Sequence, residues 1–215
     1  MTRFRTLVLA AALGLLAAAP AHAQSTYVAD SSAAAAAAHP WIDLAGLGEE
    51  RNLDDEAVSG SIDIGFPFVF GSTAYDKVKI ASNGMLQFDR TSGAGANSAL
   101  PLTGAGGEPA IDAVMAPLWD DLHPGNDERH LRYATIGTAP NRVFVVSWLQ
   151  VPYWCRGDTP STCNPAKLQT KDATATFQVQ LHEAGHFVYR YESVHGAGGP
   201  HAGASFRNPA GASIG

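Results

Sequence analysis

The sequence lacks the local patterns that identify common enzyme classes. It contains no G-x-S-x-G nucleophile elbow, and no glycine-rich loop follows a strand and opens a helix. A serine hydrolase of the elbow type and a nucleotide-binding enzyme therefore have no support. Nothing selects a pair of carboxylates for glycoside hydrolysis. Amphipathic helical patterns are also missing, so we expect a β fold. Because none of these catalytic patterns is supported, we expect no catalytic residues.

Positive charge is scarce: 14 Lys and Arg stand against 20 Asp and Glu, for a formal net charge of −6. The first residues carry two arginines, an apolar run from Leu7 to Ala19 and then Ala21-His22-Ala23. This order predicts a secretory signal peptide over residues 1–23, whose removal changes the net charge to −8. We expect an exported protein in the periplasm, on the cell surface or outside the cell. An acidic product of this kind is a poor partner for nucleic acid.

Long apolar runs are absent after the signal region, so we expect no transmembrane segment in the mature chain. Cysteine is also scarce, and the two present, Cys155 and Cys163, are predicted to form a disulfide because the protein is exported. The short loop places its stabilisation at the low end of ~2–4 kcal/mol.

The predicted cysteine loop holds candidate contact residues for a partner. It contains Arg156-Gly157-Asp158, and Tyr153 and Trp154 precede it. Exposed aromatic side chains can stack on sugar rings or on a protein surface, and a tripeptide in a closed loop can be presented to a receptor. The alternative is that the tripeptide occurs by chance and that Trp154 caps the core.

Apolar alternation dominates the chain after residue 40. The clearest strand runs from Ile62 to Phe70, where Pro67 predicts an edge position or a bulge. Asn83-Gly84 predicts a tight hairpin turn, and Ile111 to Trp119 a strand buried on both faces. Roughly nine or ten short strands predict a single antiparallel β-sandwich over residues 41–215. The core candidates are Ile62, Ile64, Phe66, Phe68, Phe70, Ile80, Leu86, Phe88, Met115, Trp119, Val145, Trp148, Phe177, Val179, Leu181, Tyr189 and Tyr191.

The segment before the sandwich has low complexity. Residues 24–40 include the run Ala33 to Ala38, which favours a helix but is too short to be stable alone. We interpret it as an Ala-rich leader that is a linker or frayed. Trp41 to Leu44 is predicted as a first short strand and Glu49 to Glu56 as an acidic loop.

One stretch matches a catalytic motif: His182-Glu183-Ala184-Gly185-His186 fits the H-E-x-x-H pattern of zinc proteases. That chemistry needs a helix, on which both histidines share one face. Here the flanks alternate with a period of two, from Phe177 to Leu181 and from Phe187 to Tyr191. The pattern predicts a β-hairpin with the motif in its turn. A zinc metallohydrolase is the least favoured alternative.

Two acidic groups are candidate calcium ligands, because hard cations take carboxylate oxygens. Their spacing does not match an EF-hand loop, and the alternative is a solvated loop in which Asp favours turns. The first group is Asp120, Asp121, Asp127 and Glu128; the second is Asp54, Asp55 and Glu56. Apart from a possible Ca²⁺, we expect no cofactor.

Several blocks along the chain together resemble the nidogen-like domain, as found in bacterial exported surface, pilus-associated and adhesin-like proteins. The blocks span about Trp41 to Ala210 and their order carries the resemblance. They are Leu53-Asp54-Asp55, Gly65 to Gly71, Tyr75 to Phe88, Ala116 to Asp121, Thr138 to Arg142 with Val145 to Trp148, Phe177 to Leu181, and Tyr189-Arg190-Tyr191.

The resemblance implies an extracellular, non-catalytic interaction domain. We therefore expect a secreted binding or adhesion domain that meets an extracellular protein or glycan through loops at the sandwich ends. The alternative is a lectin-like domain that uses Tyr153 and Trp154.

Overall fold

The computed structural model describes residues 27–88, 113–124, 130–153 and 174–194, and the backbone of two further strands within 203–214. Within these residues the chain forms one helix and eleven strands. They are α1 Ala33–Ala38, β1 Glu49–Glu50, β2 Ile62–Phe70, β3 Thr73–Ala81, β4 Met85–Gln87, β5 Val114–Trp119, β6 Leu131–Ile136, β7 Val143–Pro152, β8 Thr174–His182, β9 Phe187–Val194, β10 Gly203–Arg207 and β11 Ser213–Ile214.

The strands form two antiparallel sheets. One has the order β1-β6-β7-β8-β9, and the other β11-β10-β5-β4-β3-β2. β1 and β11 have only two residues each, and the remaining strands match the predicted number. The inward faces of the two sheets share one large apolar cluster, which is the arrangement of a sandwich. The predicted antiparallel β-sandwich is confirmed.

β2 is both an edge strand and bulged. It lies at the end of the six-stranded sheet, and its register with β3 shifts between Asp63 and Phe68. Pro67 falls inside this shift, where it breaks no ladder bond, and Gly65 supplies a backbone φ of +88°. Both expectations from Pro67 are confirmed.

The alternating residues of the sequence are mostly buried between the sheets, with corrections at four positions. Trp119 and Val145 are buried but lie outside the cluster between the sheets. Tyr189 is half-buried, and Tyr191 is 43% exposed. The reason is that β9 is the edge of its sheet, so the ring of Tyr191 is open on one side. Its hydroxyl still donates a hydrogen bond to the Pro117 carbonyl oxygen on β5. Val114–Trp119 is buried throughout, as predicted.

The segment before β1 differs from its prediction. Residues Ala33–Ala38 form a helix because the Ser32 side chain caps it, accepting a bond from the Ala35 N–H at 3.1 Å. Trp41 to Leu44 is not a strand, whereas Glu49–Glu50, predicted as loop, pairs with β6. α1 has six residues, and the described residues contain no helix with the length and hydropathy that a membrane crossing needs.

The backbone of this segment bonds to side chains of β8 instead of joining a sheet. The Gln178 amide donates to the Ile42 carbonyl oxygen at 2.8 Å and accepts from the Ile42 N–H at 3.2 Å. The Gln180 amide donates to the Pro40 carbonyl oxygen at 2.8 Å. Both glutamines are at most 1% exposed, so this segment covers the outer face of the five-stranded sheet.

Candidate functional site

The H-E-x-x-H stretch forms the connection of the β8–β9 hairpin, as the alternation predicted. β8 ends at His182 and β9 begins at Phe187. The His182 N–H donates to the His186 carbonyl oxygen at 2.9 Å, and the Gly185 N–H donates to the His182 carbonyl oxygen at 2.8 Å. Gly185 has a φ of +92°, which a turn of this kind demands and a helix excludes. The motif therefore does not adopt the helical geometry of zinc proteases.

Glu183 is bound to an arginine and is not placed as a general base. Arg142 donates to its carboxylate from Nε at 2.9 Å, from Nη2 at 2.5 Å and from its backbone N–H at 3.1 Å. These bonds lower the pKa of Glu183 to about 2. A general base needs a pKa close to the working pH. The ion pair instead fastens the hairpin turn to the start of β7.

His39, at the C-terminal cap of α1, joins the two motif histidines. Its ring centroid lies 5.1 Å from that of His182 and 5.0 Å from that of His186, and the latter two rings stack at 4.2 Å. One ligand nitrogen from each residue lies within 4.8 Å of the others. Burial is the main cause that lowers the pKa of His182 to about 4, and it also lowers the pKa of His186.

His39 could not be predicted as a member of this cluster, because no periodicity or local spacing links it to a hairpin so far along the chain. The polar face of β8, where glutamine alternates with apolar residues, is an indirect sign that another segment covers it. Glutamines that are buried on an outer face need partners, and here the partners are the backbone groups next to His39.

A second polar cluster lies at the opposite end of β7, and we name Asp55, Glu56 and Asp121 the acidic loop cluster. One carboxylate oxygen from each lies within 4.8 Å of the others. The structure thus joins Asp121 of the first predicted calcium group to two residues of the second. Asp120 is not part of this cluster, and Asp127 and Glu128 lie outside the described residues.

The acidic loop cluster is electrostatically unfavourable. Partial burial raises the pKa of Glu56, and the charges of Asp121 and Asp55 raise it further, while a hydrogen bond with the Asn83 side chain lowers it by less. Glu56 also has a backbone φ of 52°, in the left-handed region that glycine and asparagine adopt more easily. His123 Nδ1 lies 3.4 Å from an Asp55 oxygen at one side of the cluster.

Tyr153 lies at the same end of the sandwich. It forms an isolated bridge with Leu122, and the His123 N–H donates to the Pro152 carbonyl oxygen at 2.8 Å. Its ring is half-buried against the core, and burial together with the charge of Asp120 raises the pKa of Tyr153 to about 12. The predicted contacts Trp154, Arg156 and Asp158, and the predicted Cys155–Cys163 bridge, lie outside the described residues.

These features define an all-β sandwich domain with separate polar clusters at the two ends of β7. The family described as NIDO related matches residues 31–215, and the chain belongs to this family. The resemblance to nidogen-like domains is thereby confirmed, and the family indicates an extracellular domain. No curated protein and no solved structure gives a significant match.

Proposed function

We propose that the protein is an exported, non-catalytic binding domain that meets an extracellular protein through the loops at the Pro152 end of β7. The observation that carries this proposal is the convergence of Asp55, Glu56 and Asp121 from two distant parts of the chain. Loops held by a rigid sandwich are the usual position of a binding surface. Membership of an extracellular family supports the same function.

Glu56 supports a role in binding because its position is costly for folding. Glu56 is an exposed residue, but its carboxylate is partly desolvated beside two like charges, and its backbone is held in a strained conformation. Strain and like-charge repulsion at one residue are typical of sites that are shaped for a ligand. A basic protein surface would relieve the repulsion, since each lysine or arginine brought to the cluster lowers its potential.

A glycan partner is the second candidate, through Tyr153. The charge of Asp120 acts on Tyr153, so this end of the sandwich offers both an aromatic ring for stacking and an acceptor for sugar hydroxyls. The packing of this ring against the core leaves less of its face for a sugar, which favours the protein partner.

Screening on arrays of extracellular proteins and of glycans distinguishes these candidates. We expect saturable binding to a basic protein that weakens at high salt and falls about tenfold or more in the Glu56→Gln, Asp121→Asn double variant. The matched control is Asp63→Asn, which removes an exposed carboxylate on β2. Equal binding by the double variant would contradict the proposal. Binding to glycans alone, lost in Tyr153→Ala, would favour the lectin-like alternative.

The single substitution Glu56→Gln is expected to raise the melting temperature at pH 7. The folded protein raises the pKa of Glu56, so the ionised form destabilises the fold once the pH exceeds the unfolded value of ~4.3. The gain should therefore disappear near pH 3, where the carboxyl is protonated in both states. Thermal unfolding at the two pH values measures this. Glu192→Gln, at an exposed position on β9, is measured alongside as the surface control.

A further inference from the structure

The geometry points to a transition-metal site formed by His39, His182 and His186, which takes a divalent ion of the Zn²⁺ and Cu²⁺ class. We infer that the bound ion fastens the N-terminal segment to the β8–β9 hairpin. The site lies at the Val143 end of β7, because Val143 pairs with His182. It does not depend on the acidic loop cluster at the other end of this ten-residue strand, roughly 30 Å away.

The distances suit one ion with small adjustments. A tetrahedral Zn²⁺ with Zn–N bonds of about 2.0–2.1 Å separates its ligand nitrogens by roughly 3.3 Å. The three nitrogens already lie within 4.8 Å of one another, and the described surface around His186 is exposed. Rotation of the imidazole side chains can close the remaining gap, while a water molecule takes the fourth position. Imidazole nitrogen is a preferred ligand of both zinc and copper.

The positions of the histidines are fixed by the fold around them. The hydrogen bond between the His182 N–H and the His186 carbonyl oxygen closes the hairpin and sets these two residues opposite each other. The Gln180 side chain contacts both parts of the chain that form the site. Its Oε1 lies 3.3 Å from His182 Nε2, and its Nε2 donates to the carbonyl oxygen of Pro40, next to His39. Such second contacts orient a ligating imidazole.

The proposed ion has a structural role and no catalytic one. Glu183, the residue that would act as base in a zinc protease, points its carboxylate into the Arg142 fork. Without this ion, the N-terminal segment is held by the glutamine contacts and by a bond from Arg190 to the Ala36 carbonyl oxygen at 3.3 Å. Nearer its N-terminus, the Tyr27 ring packs on Phe70 and Phe187. An ion held by residues from both parts stabilises the folded state, because the unfolded chain does not bring them together.

His39→Ala is the decisive variant, because it leaves the complete H-E-x-x-H sequence in place. Mature protein without a histidine tag is stripped with a chelator, and ZnCl₂ is titrated by calorimetry at pH 7.5. We expect one equivalent of Zn²⁺ to bind and to raise the melting temperature by several degrees. His39→Ala and His186→Ala should lose at least 90% of the bound zinc, while the metal-free forms melt close to the metal-free parent.

His123→Ala is the matched control, since His123 lies in the other polar cluster beside Asp55. It should keep full zinc binding, as should Glu183→Gln. The proposal is overturned if the parent binds no zinc, if His39→Ala keeps full stoichiometry, or if His123→Ala loses as much zinc as His39→Ala. Sub-stoichiometric binding without a rise in melting temperature would show adventitious histidine binding only, and would overturn it too.

Discussion

Replacing Gly84 by alanine is expected to lower the free energy of unfolding by at least about 3 kcal/mol, which places it among the most damaging single substitutions. A Cβ at this position would lie 2.0 Å from the carbonyl oxygen of Leu118 and 3.1 Å from Cζ of Phe177. The φ of +78° adds strain for any L side chain. The Leu118 oxygen belongs to the backbone of β5, so it can move away only by disturbing the sheet. Urea denaturation of the purified variant measures the loss.

Two other glycines separate the steric clash from the backbone strain. Gly185 has a φ of +92° and open space around its Cβ, so Gly185→Ala should cost only about 1–2 kcal/mol. Gly60 has open space and no positive φ, and Gly60→Ala should stay within about 0.5 kcal/mol of the parent. A Gly84→Ala protein as stable as Gly60→Ala would contradict the close approach of the β3–β4 turn to β5.

Trp148→Ala is expected to cost about 3–5 kcal/mol, because the substitution removes the largest fully buried side chain of the core. Trp148 stacks on Phe177 of the neighbouring strand, with ring centroids 4.8 Å apart and an interplanar angle of 10°. Its indole Nε1 also donates to the Ala81 carbonyl oxygen at 3.3 Å. Ala81 belongs to β3 of the other sheet, so the same side chain connects both layers of the sandwich.

Trp148→Phe is the comparison variant that separates the loss of the hydrogen bond from the loss of the whole aromatic side chain. It keeps an aromatic ring against Phe177 and loses the hydrogen bond and part of the volume, so a smaller loss is expected than for alanine. Val69→Ala is the surface control, since Val69 is 48% exposed on β2 and should stay within about 0.5 kcal/mol. Equal denaturation midpoints for Trp148→Ala and Val69→Ala would contradict the position of Trp148 in the core.

The sequence predicted the parts of the fold that depend on local periodicity. Alternation from Ile62 to Phe70 identified β2, Pro67 identified its edge position and its bulge, and Asn83-Gly84 identified a hairpin turn. The same argument separated the hairpin around Gly185 from a zinc-protease helix. These predictions are correct because the two-residue period is visible within each strand. Turn residues are equally recognisable, because only a few residue types adopt the backbone conformations that turns need.

The sequence did not predict which outer face is covered. Gln178 and Gln180 alternate with apolar residues, which is typical of a strand with one solvated face, yet both are buried. Their cover, Pro40 to Ile42, is separated from them by more than 130 residues and carries no periodic signal. For the same reason Trp41 to Leu44 was wrongly predicted as a strand. Its backbone bonds go to side-chain amides and not to a neighbouring strand.

For the candidate sites, too, the local patterns were predicted and the long-range contacts were not. The acidic residues were recognised by type in each loop, but their grouping depends on contacts between loops, which joined Asp121 to Asp55 and Glu56. The two motif histidines were recognised, whereas the third ligand candidate, His39, comes from a segment predicted as a linker. Local patterns thus identify the residue types, and the topology of the sandwich decides which of them meet.

The most direct test of the proposed binding function is a titration of the basic extracellular partner found on the protein array. The parent, the Glu56→Gln, Asp121→Asn variant and the Asp63→Asn control are compared at low and at high salt. The acidic loop cluster predicts that the double variant binds about tenfold or more weakly at low salt, with a reduced salt dependence, and that the control binds like the parent. Equal affinity and equal salt dependence for all three proteins would contradict binding through this end of the sandwich.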